Sequence, residues 1–477
     1  MLREIIPLWA HQRDTALKAA TRTDGYALFF EQGCGKTATA ITAIRHKCYA
    51  AQRLLRVLII CPPVVCKNWQ REIHMHSTIK PESVHVLRGT GKERTKTFMD
   101  KAFQDEFAIP GIFITNYEAM AMPDLFRLFR NWMPDILLFD ESQRVKEFKS
   151  KRTKLAIELA DRSDYKMLLS GTPIINSAMD IWSQFRILDG GDTFDLNFYA
   201  FRAKYFYDKN AGMPSQKHFP DWKPRPGIDA EFNRMIYRKA TRVLKSECLD
   251  LPPLVRQRIE VELSPEQARM YKDMRDDFVA YLGDKACVAT IALTKGLRLQ
   301  QIISGFWIDE DGEKPHAFSK NPRLEALKEL LGSIASTAKV IVWASFRHNY
   351  GDLARVATEL GLPSVSLFGG MTDKARQDGI DSFQTDDKVR VMIANPAAGG
   401  VGVTLTAASY MIYYSRSFSL EHDLQSEARC HRGGSEVHDK ITRIDIVTPE
   451  TIDEVILGAL ERKENMASSI LKIRDLL

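Results

Sequence analysis

Short apolar runs alternating with amphipathic stretches pattern the first half of the chain. Residues 26–30, 57–61, 112–115, 136–139 and 167–169 are predicted as strands, because unbroken apolar runs of this length suit strands buried on both faces. With helical stretches between them they predict a parallel sheet covered by helices. The same rhythm returns after residue 320, with strands expected at 340–343, 389–394, 410–414 and 441–447. Two α/β domains are therefore expected. Between them, 185–320 carries weaker strand signals, a helical pattern over 265–282 and a Pro/Gly-rich loop over 212–227. That stretch reads as mainly helical insertions plus a linker. Leu251-Pro252-Pro253 is the expected crossing point, since consecutive prolines resist helix. The expected divisions are an N-terminal domain over 1–184, an aromatic and basic insertion over 185–250, a linker with a helical insertion over 251–320, and a C-terminal domain over 321–477.

Composition narrows the class without identifying it. The chain has 477 residues, 44% hydrophobic and 27% charged, which is ordinary globular usage and excludes a disordered or low-complexity protein. The balance of 67 Lys and Arg against 61 Asp and Glu gives +6, too small a surplus on this length to name a partner. Seven scattered cysteines without a C-x-x-C pair argue against a disulfide framework or a zinc site and suit a reducing compartment. The N-terminus carries charge early and lacks the apolar core of a signal peptide. A soluble protein of the cytoplasm is expected.

Candidate chemistry begins after the first strand, where Glu31-Gln32-Gly33-Cys34-Gly35-Lys36-Thr37 leads into a helical stretch rich in Ala and Thr. Strand, glycine loop and helix in that order make a phosphate cradle, because glycines let backbone N–H groups and the helix N-terminus face an anion. In that geometry Lys36 reaches the β and γ phosphates and the Thr37 hydroxyl ligates magnesium. The loop departs from the strict G-x-x-x-x-G-K-[ST] pattern, with Phe30 at the first glycine position. A plain strand-to-helix turn is the competing reading.

A second motif bears on that choice. The run 136–139 ends in Asp140-Glu141, which places two carboxylates at the carboxyl end of a strand, where open α/β sheets bind ligands. Asp140 would hold magnesium through water, and Glu141 would orient and deprotonate an attacking water. In the second domain Gln425, Arg429 and Arg432 are spaced to share one face of a predicted helix. They read either as solvated or acid-paired arginines or as arginine fingers on a γ-phosphoryl group.

Read together, these motifs resemble superfamily 2 ATPases and, within them, the SNF2 family of double-stranded DNA translocases, in order over nearly the whole chain. Leu8-Trp9-Ala10-His11-Gln12 resembles the family's opening motif, in which the glutamine (here Gln12) reads adenine. Leu58 to Pro63 with Asn68, Trp69 and Glu72, and then Ile114-Thr115-Asn116-Tyr117-Glu118, look like its DNA-contacting motifs. Asp140 to Lys146 stands at the acidic box, and Leu169-Ser170-Gly171-Thr172-Pro173 with Asn176 at the motif that couples hydrolysis to domain motion. Leu251-Pro252-Pro253 and Lys339 to Phe346 resemble the inter-domain segment and fourth motif, Ala398 to Ala408 the fifth, and Gln425 to Gly434 the sixth.

The resemblance implies two RecA-like parallel-sheet domains in tandem, closing on ATP and Mg2+. It implies nucleotide contacts at Gln12, Gly33, Gly35, Lys36, Thr37, Gly402 and Gln425, and catalytic roles for Lys36, Asp140, Glu141, Arg429 and Arg432. Thr37 and Asp140 would hold the metal, and Gln143, Ser170 and Thr172 would couple hydrolysis to movement. DNA contacts are implied at Pro62, Lys67, Asn68, Trp69, Asn116, Arg144, Lys146, Ser345 and Thr404, although an indole such as Trp69 also suits a core. Gln143 stands where the family has histidine and Ser435 where it commonly has glutamine, so hydrolysis is expected to survive while its coupling to DNA differs.

The run 144–154 holds six basic residues and one acid, either a solvated face or a phosphate contact. The stretch 198–226 interleaves aromatics with Lys and Arg, which reads equally as a small helical core with a basic surface or as DNA or junction contact. The expected activity is ATP-driven translocation on double-stranded or branched DNA, as a monomer and as a compact bacterial or viral type of motor. It would remodel forks and junctions or displace bound proteins. The rivals are a strand-separating DNA or RNA helicase and an ATP-gated DNA-binding subunit of a defence or repair complex.

Overall fold

The computed structural model describes residues 5–104, 107–171, 173, 178–212, 220–248, 250–283, 289–309, 314–397 and 403–461. The chain divides between Leu249 and Asp250 into two units.

The first unit is built on seven strands: β1 (Gly25–Phe30), β2 (Arg56–Cys61), β3 (Val84–Val86), β4 (Gly111–Asn116), β5 (Ile136–Asp140), β6 (Tyr165–Leu169) and β7 (Ala240–Val243). They form one sheet in the order β7-β1-β6-β5-β2-β4-β3 with every pairing parallel. All residues of β1 and β5 are buried, as expected of strands covered on both faces. Helices that matter for the site are α1 (Ala10–Thr21), α2 (Lys36–Ala50), α3 (Cys66–His76), α4 (Asp180–Asp189), α5 (Phe198–Tyr205) and α6 (Asp229–Tyr237).

The aromatic stretch expected as a separate insertion belongs to this unit's core. Phe198, Phe201, Tyr205, Phe206 and Phe232 pack in the same buried cluster as Leu137 and Phe139 of β5, and residues 240–243 close the sheet beside β1. Phe148, from the basic run, stacks on Phe198 with ring centroids 3.6 Å apart. Tyr199 and Tyr207 alone among these described aromatics are exposed. Phe219 and Lys217 of the same stretch lie outside the described residues.

The second unit carries β8 (Leu254–Glu260), β9 (Val340–Trp343), β10 (Ser364–Leu367), β11 (Val391–Ala394), β12 (Tyr410–Tyr413) and β13 (Ile441–Val447). Their order is β8-β13-β12-β9-β11-β10, again all parallel. Buried clusters cover both faces of this sheet, and a third joins Tyr271, Leu299 and Ile456 away from it. Residues 265–283 are helical, and α7 (Leu420–Cys430) follows β12. The architecture is the expected pair of parallel-sheet α/β units. Among the described residues no helix is long and apolar enough to cross a membrane.

Candidate active site

The glycine loop leaves the carboxyl end of β1 and enters α2. Gly33 (φ 93°) and Gly35 (φ 78°) both take left-handed backbone, Gly35 as the residue capping α2, a conformation that glycine adopts without penalty. Helix α1 holds the loop from the side. The His11 ring hydrogen-bonds the Cys34 carbonyl through Nε2 at 2.9 Å, and a methyl group on Gly35 would collide with the Gln12 side-chain amide. Gln12 is fixed in turn by the Trp9 N–H, which donates to its Oε1 at 2.9 Å. Burial pushes the Cys34 thiol up to about 12, so it sits in the loop as a neutral group. The Lys36 ammonium donates to the Phe30 carbonyl at 2.9 Å and the Glu31 carbonyl at 3.4 Å, while Thr37 stands half-buried on the first turn of α2.

β5 delivers the acidic pair to the same edge of the sheet. Asp140 and Glu141 are 6% and 1% exposed, which is unusual for carboxylates and requires partners. Asp140 has them: Trp69 Nε1–H donates to Oδ2 at 2.9 Å and the Glu141 N–H to Oδ1 at 3.0 Å. Burial raises the Asp140 carboxyl above its ordinary 3.8, opposed by the Trp69 hydrogen bond and the charge of Lys36. Glu141 sits at φ 55°, left-handed although not glycine, and the buried Tyr117 hydroxyl donates to the Asp140 carbonyl at 2.7 Å and the Glu141 carbonyl at 3.3 Å. Backbone strain of this kind persists only where surroundings fix it.

From Glu141 a chain of hydrogen bonds crosses to the end of β6, which lies between β5 and β1. The Gln143 amide donates to Glu141 Oε2 at 2.6 Å, and Ser170 Oγ donates to Gln143 Oε1 at 2.7 Å. The glutamine standing in place of histidine thus accepts at one end and donates at the other, which its amide allows. Ser142 Oγ donates to Gln184 Oε1 of α4 at 2.8 Å, and Gln184 Nε2 donates to the Pro173 carbonyl at 2.6 Å. Thr172 and Asn176 lie outside the described residues.

In the second unit the arginines converge by a route the helical spacing does not supply. α7 ends at Cys430, so Arg432 is not on a shared helix face with Gln425 and Arg429 but in the turn beyond. Both guanidiniums nevertheless donate to one acceptor, the Val403 carbonyl, each through Nη1 at 3.4 Å. Gln425 donates to Glu421 Oε1 at 2.9 Å. The other side of α7 is anchored to β13 by Arg443, which donates to Asp423 at 2.9 Å and Glu427 at 2.7 Å. Thr404 is half-buried in the loop that carries Val403, Ser345 hydrogen-bonds Ser415 after β9, and Gly402 lies outside the described residues.

Two residues expected to face DNA do not. Pro62 is buried at the end of β2, and Trp69 is 1% exposed with its N–H engaged by Asp140. The indole supports the acidic pair instead, because α3 turns that face of its helix into the sheet. Lys67 and Arg144 are exposed, and Asn68 and Asn116 are half-buried. Asn116 Oδ1 accepts from Arg94 at 2.7 Å, and Lys146 pairs with Asp180 at 3.7 Å. Tyr117, His11 and Gln184 were not singled out for the site in the sequence. The recurring Asn-aromatic step at Asn68-Trp69 and Asn116-Tyr117 was the signal available for the first.

The residues present suit a nucleotide with magnesium. A left-handed glycine pair opening a helix exposes backbone donors, Lys36 can exchange the Phe30 and Glu31 carbonyls for phosphate oxygens, and Thr37 and Asp140 offer hard oxygen ligands. Among the described residues no group of three or more His, Cys, Asp or Glu is placed to hold a metal.

Parallel α/β units with a glycine-lysine-threonine loop and an acidic pair at the carboxyl edge define a protein of the P-loop nucleotide-binding class. The SNF2-related domain family matches residues 15–304 and the helicase conserved C-terminal domain matches 322–434. The chain belongs to the SNF2-related family. It is 25% identical over 97% of its length to the SWI/SNF-related matrix-associated actin-dependent regulator of chromatin subfamily A-like protein 1 homolog of Caenorhabditis elegans, and covers 62% of that relative. To an uncharacterized ATP-dependent helicase of Mycoplasma pneumoniae it is 25% identical over 94% of its length, covering 40% of that protein. The chain therefore spans less than two thirds of either relative. Among solved structures, the Sulfolobus solfataricus SWI2/SNF2 ATPase core in complex with dsDNA matches with a TM-score of 0.44 at 22% identity, over 99% of this chain and 96% of that one.

Proposed function

We propose that this protein is a DNA-dependent ATPase that translocates on double-stranded DNA, remodelling forks or junctions or displacing bound proteins. One observation carries the reading beyond family membership. The phosphate loop, the acidic pair and Ser170 meet at the ends of the neighbouring strands β1, β5 and β6, with Glu141, Gln143 and Ser170 joined by two hydrogen bonds of 2.6 and 2.7 Å. A water-activating carboxylate wired to a segment on another strand is what coupling hydrolysis to movement requires.

In this reading the backbone N–H groups of residues 33–37 and Lys36 hold the phosphates of ATP, Gln12 reads the adenine, and Thr37 and Asp140 hold Mg2+. When bound, the ion neutralises charge on the transferring phosphoryl group. Glu141 orients the attacking water and takes its proton, with Gln143 fixing the carboxylate. Arg429 and Arg432 act as arginine fingers on the terminal phosphate, and Gly402 and Gln425 add nucleotide contacts. Lys67, Asn68, Asn116, Arg144, Ser345 and Thr404 contact the DNA backbone without reading sequence.

ATPase rates with RNA, single-stranded DNA, linear duplex, a fork and a four-way junction test the reading in parallel. The expected result is stimulation by duplex or branched DNA above the other polymers. Stimulation by RNA or single strands with unwinding of a tailed duplex would replace it with a conventional helicase. Lys36→Ala and Glu141→Gln should each abolish turnover while duplex affinity stays close to that of the parent; unchanged ATPase in both would remove the site assignment.

A further inference from the structure

Asn68-Trp69 lies on α3 after β2 and Asn116-Tyr117 at the end of the neighbouring β4, the register pairing Cys61 with Asn116. In both dipeptides the asparagine is half-buried at the surface while the aromatic ring is 1% or 2% exposed. Both rings end on the acidic pair. The Trp69 indole reaches the Asp140 carboxylate, and the Tyr117 hydroxyl reaches the Asp140 and Glu141 carbonyls. Tyr117 does so although β2 lies between its own strand and β5. The basic run joins the same point, since Arg152 lies 5.6 Å over the Tyr117 ring and bonds Glu118 at 3.3 Å.

We propose that Trp69 and Tyr117 are positioning residues that carry duplex engagement at Asn68 and Asn116 to the acidic pair, making hydrolysis depend on the DNA track. The inference rests on the ATPase reading above. Close-packed side chains have little room to absorb displacement, and a buried donor that loses its acceptor carries the full desolvation penalty. A backbone shift at either asparagine therefore moves the adjoining ring, and the group it holds follows. The Tyr117 bonds act on the left-handed backbone of Glu141 and so aim its carboxylate. The Trp69 bond acts directly on the Asp140 carboxylate, the group that would help to hold magnesium.

Tyr117→Phe removes only the hydroxyl and keeps the ring. The ratio of duplex-stimulated to DNA-free kcat is expected to fall about tenfold, with KM for ATP and affinity for a fluorescein-labelled duplex each within about twofold of the parent and the melting temperature within about 4 °C of it. Trp69→Phe should lower the same ratio and also raise the Mg2+ concentration needed for half-maximal rate. In a double-mutant cycle, Asn116→Ala combined with Tyr117→Phe should lose no more stimulation than the worse single variant. A parental stimulation ratio in Tyr117→Phe overturns the proposal, as does an equal loss with and without DNA, which would make the hydroxyl a static support. Loss of duplex affinity would place Tyr117 on the DNA surface and overturn it as well. Absence of stimulation in the unsubstituted protein would instead remove the ATPase-on-DNA reading itself, a distinct result seen before any substitution is made.

Discussion

At Gly35 two constraints act on one residue: a left-handed φ of 78° and the Gln12 amide in the space where a side chain would begin. Gly35→Ala should therefore displace either the loop or Gln12, on top of the roughly 1 kcal/mol that left-handed backbone costs a non-glycine residue. Its expected effect is loss of binding of a fluorescent ATP analogue with duplex affinity retained; full nucleotide affinity would mean the loop is not the phosphate cradle. The glycines, Lys36, Thr37 and the acidic pair were legible because each is a local pattern of adjacent residues. The sequence does not decide between a core indole and a DNA contact for Trp69, because its partner, Asp140, is 71 positions away and the sheet brings them together. Arg432 was read on a helix because the spacing fits one, but the chain leaves helical geometry at His431. The shared Val403 carbonyl reunites it with Arg429.

Element by element, the apolar runs located every strand with a neighbour on both sides. Within the two large sheets, the strands they missed, β3, β7, β8 and β10, are the edges. Interior strands are buried on both faces and read as continuous apolar runs. An edge strand need not be: 254–260 runs Leu-Val-Arg-Gln-Arg-Ile-Glu, and 240–243 runs Ala-Thr-Arg-Val. Interior pairing has its own polar lock. At the start of β2 the Arg56 N–H and guanidinium donate to Asp135, just before β5, and Arg53 adds a two-pronged pair with both contacts near 3 Å. Burial works to raise the Asp135 carboxyl, but the Arg53 and Arg56 hydrogen bonds outweigh it and hold the group at about 2 against an ordinary 3.8. A depressed folded-state value contributes stability above pH 3.8 that is lost as pH falls through about 2. Asp135→Asn should thus lower the denaturant midpoint at neutral pH, and the gap from the parent should close as pH drops from about 4 towards 2. A gap independent of pH would show that the ion pairs do not register the strands.

On the scale of the whole molecule, +6 over 477 residues remains a poor guide to partners, and placement says more. Lys67, Arg144, Lys149, Lys151 and Lys154 are all exposed on segments at or soon after the strand ends of the first unit, whereas Arg152 and Lys146 are engaged by Glu118 and Asp180. If the first set meets DNA phosphates, replacing Lys149, Lys151 and Lys154 together by Gln should weaken duplex binding for every sequence alike. It should also flatten the plot of log affinity against log salt by about 0.9 per contact removed. An unchanged slope would return that run to the status of a solvated face. By itself the sequence determined the fold class, the interior strands, and the positions of the glycine loop and the acidic pair at strand ends, because burial and backbone demands are written into adjacent residues. Tertiary structure alone decided the edge strands, the merging of the aromatic stretch into the first core, and the convergence of Trp69, Tyr117 and Gln143 on the acidic pair, with Ser170 joined through Gln143. Those outcomes depend on groups far apart along the chain meeting across strands, and no local pattern encodes which distant partner a buried polar group will find.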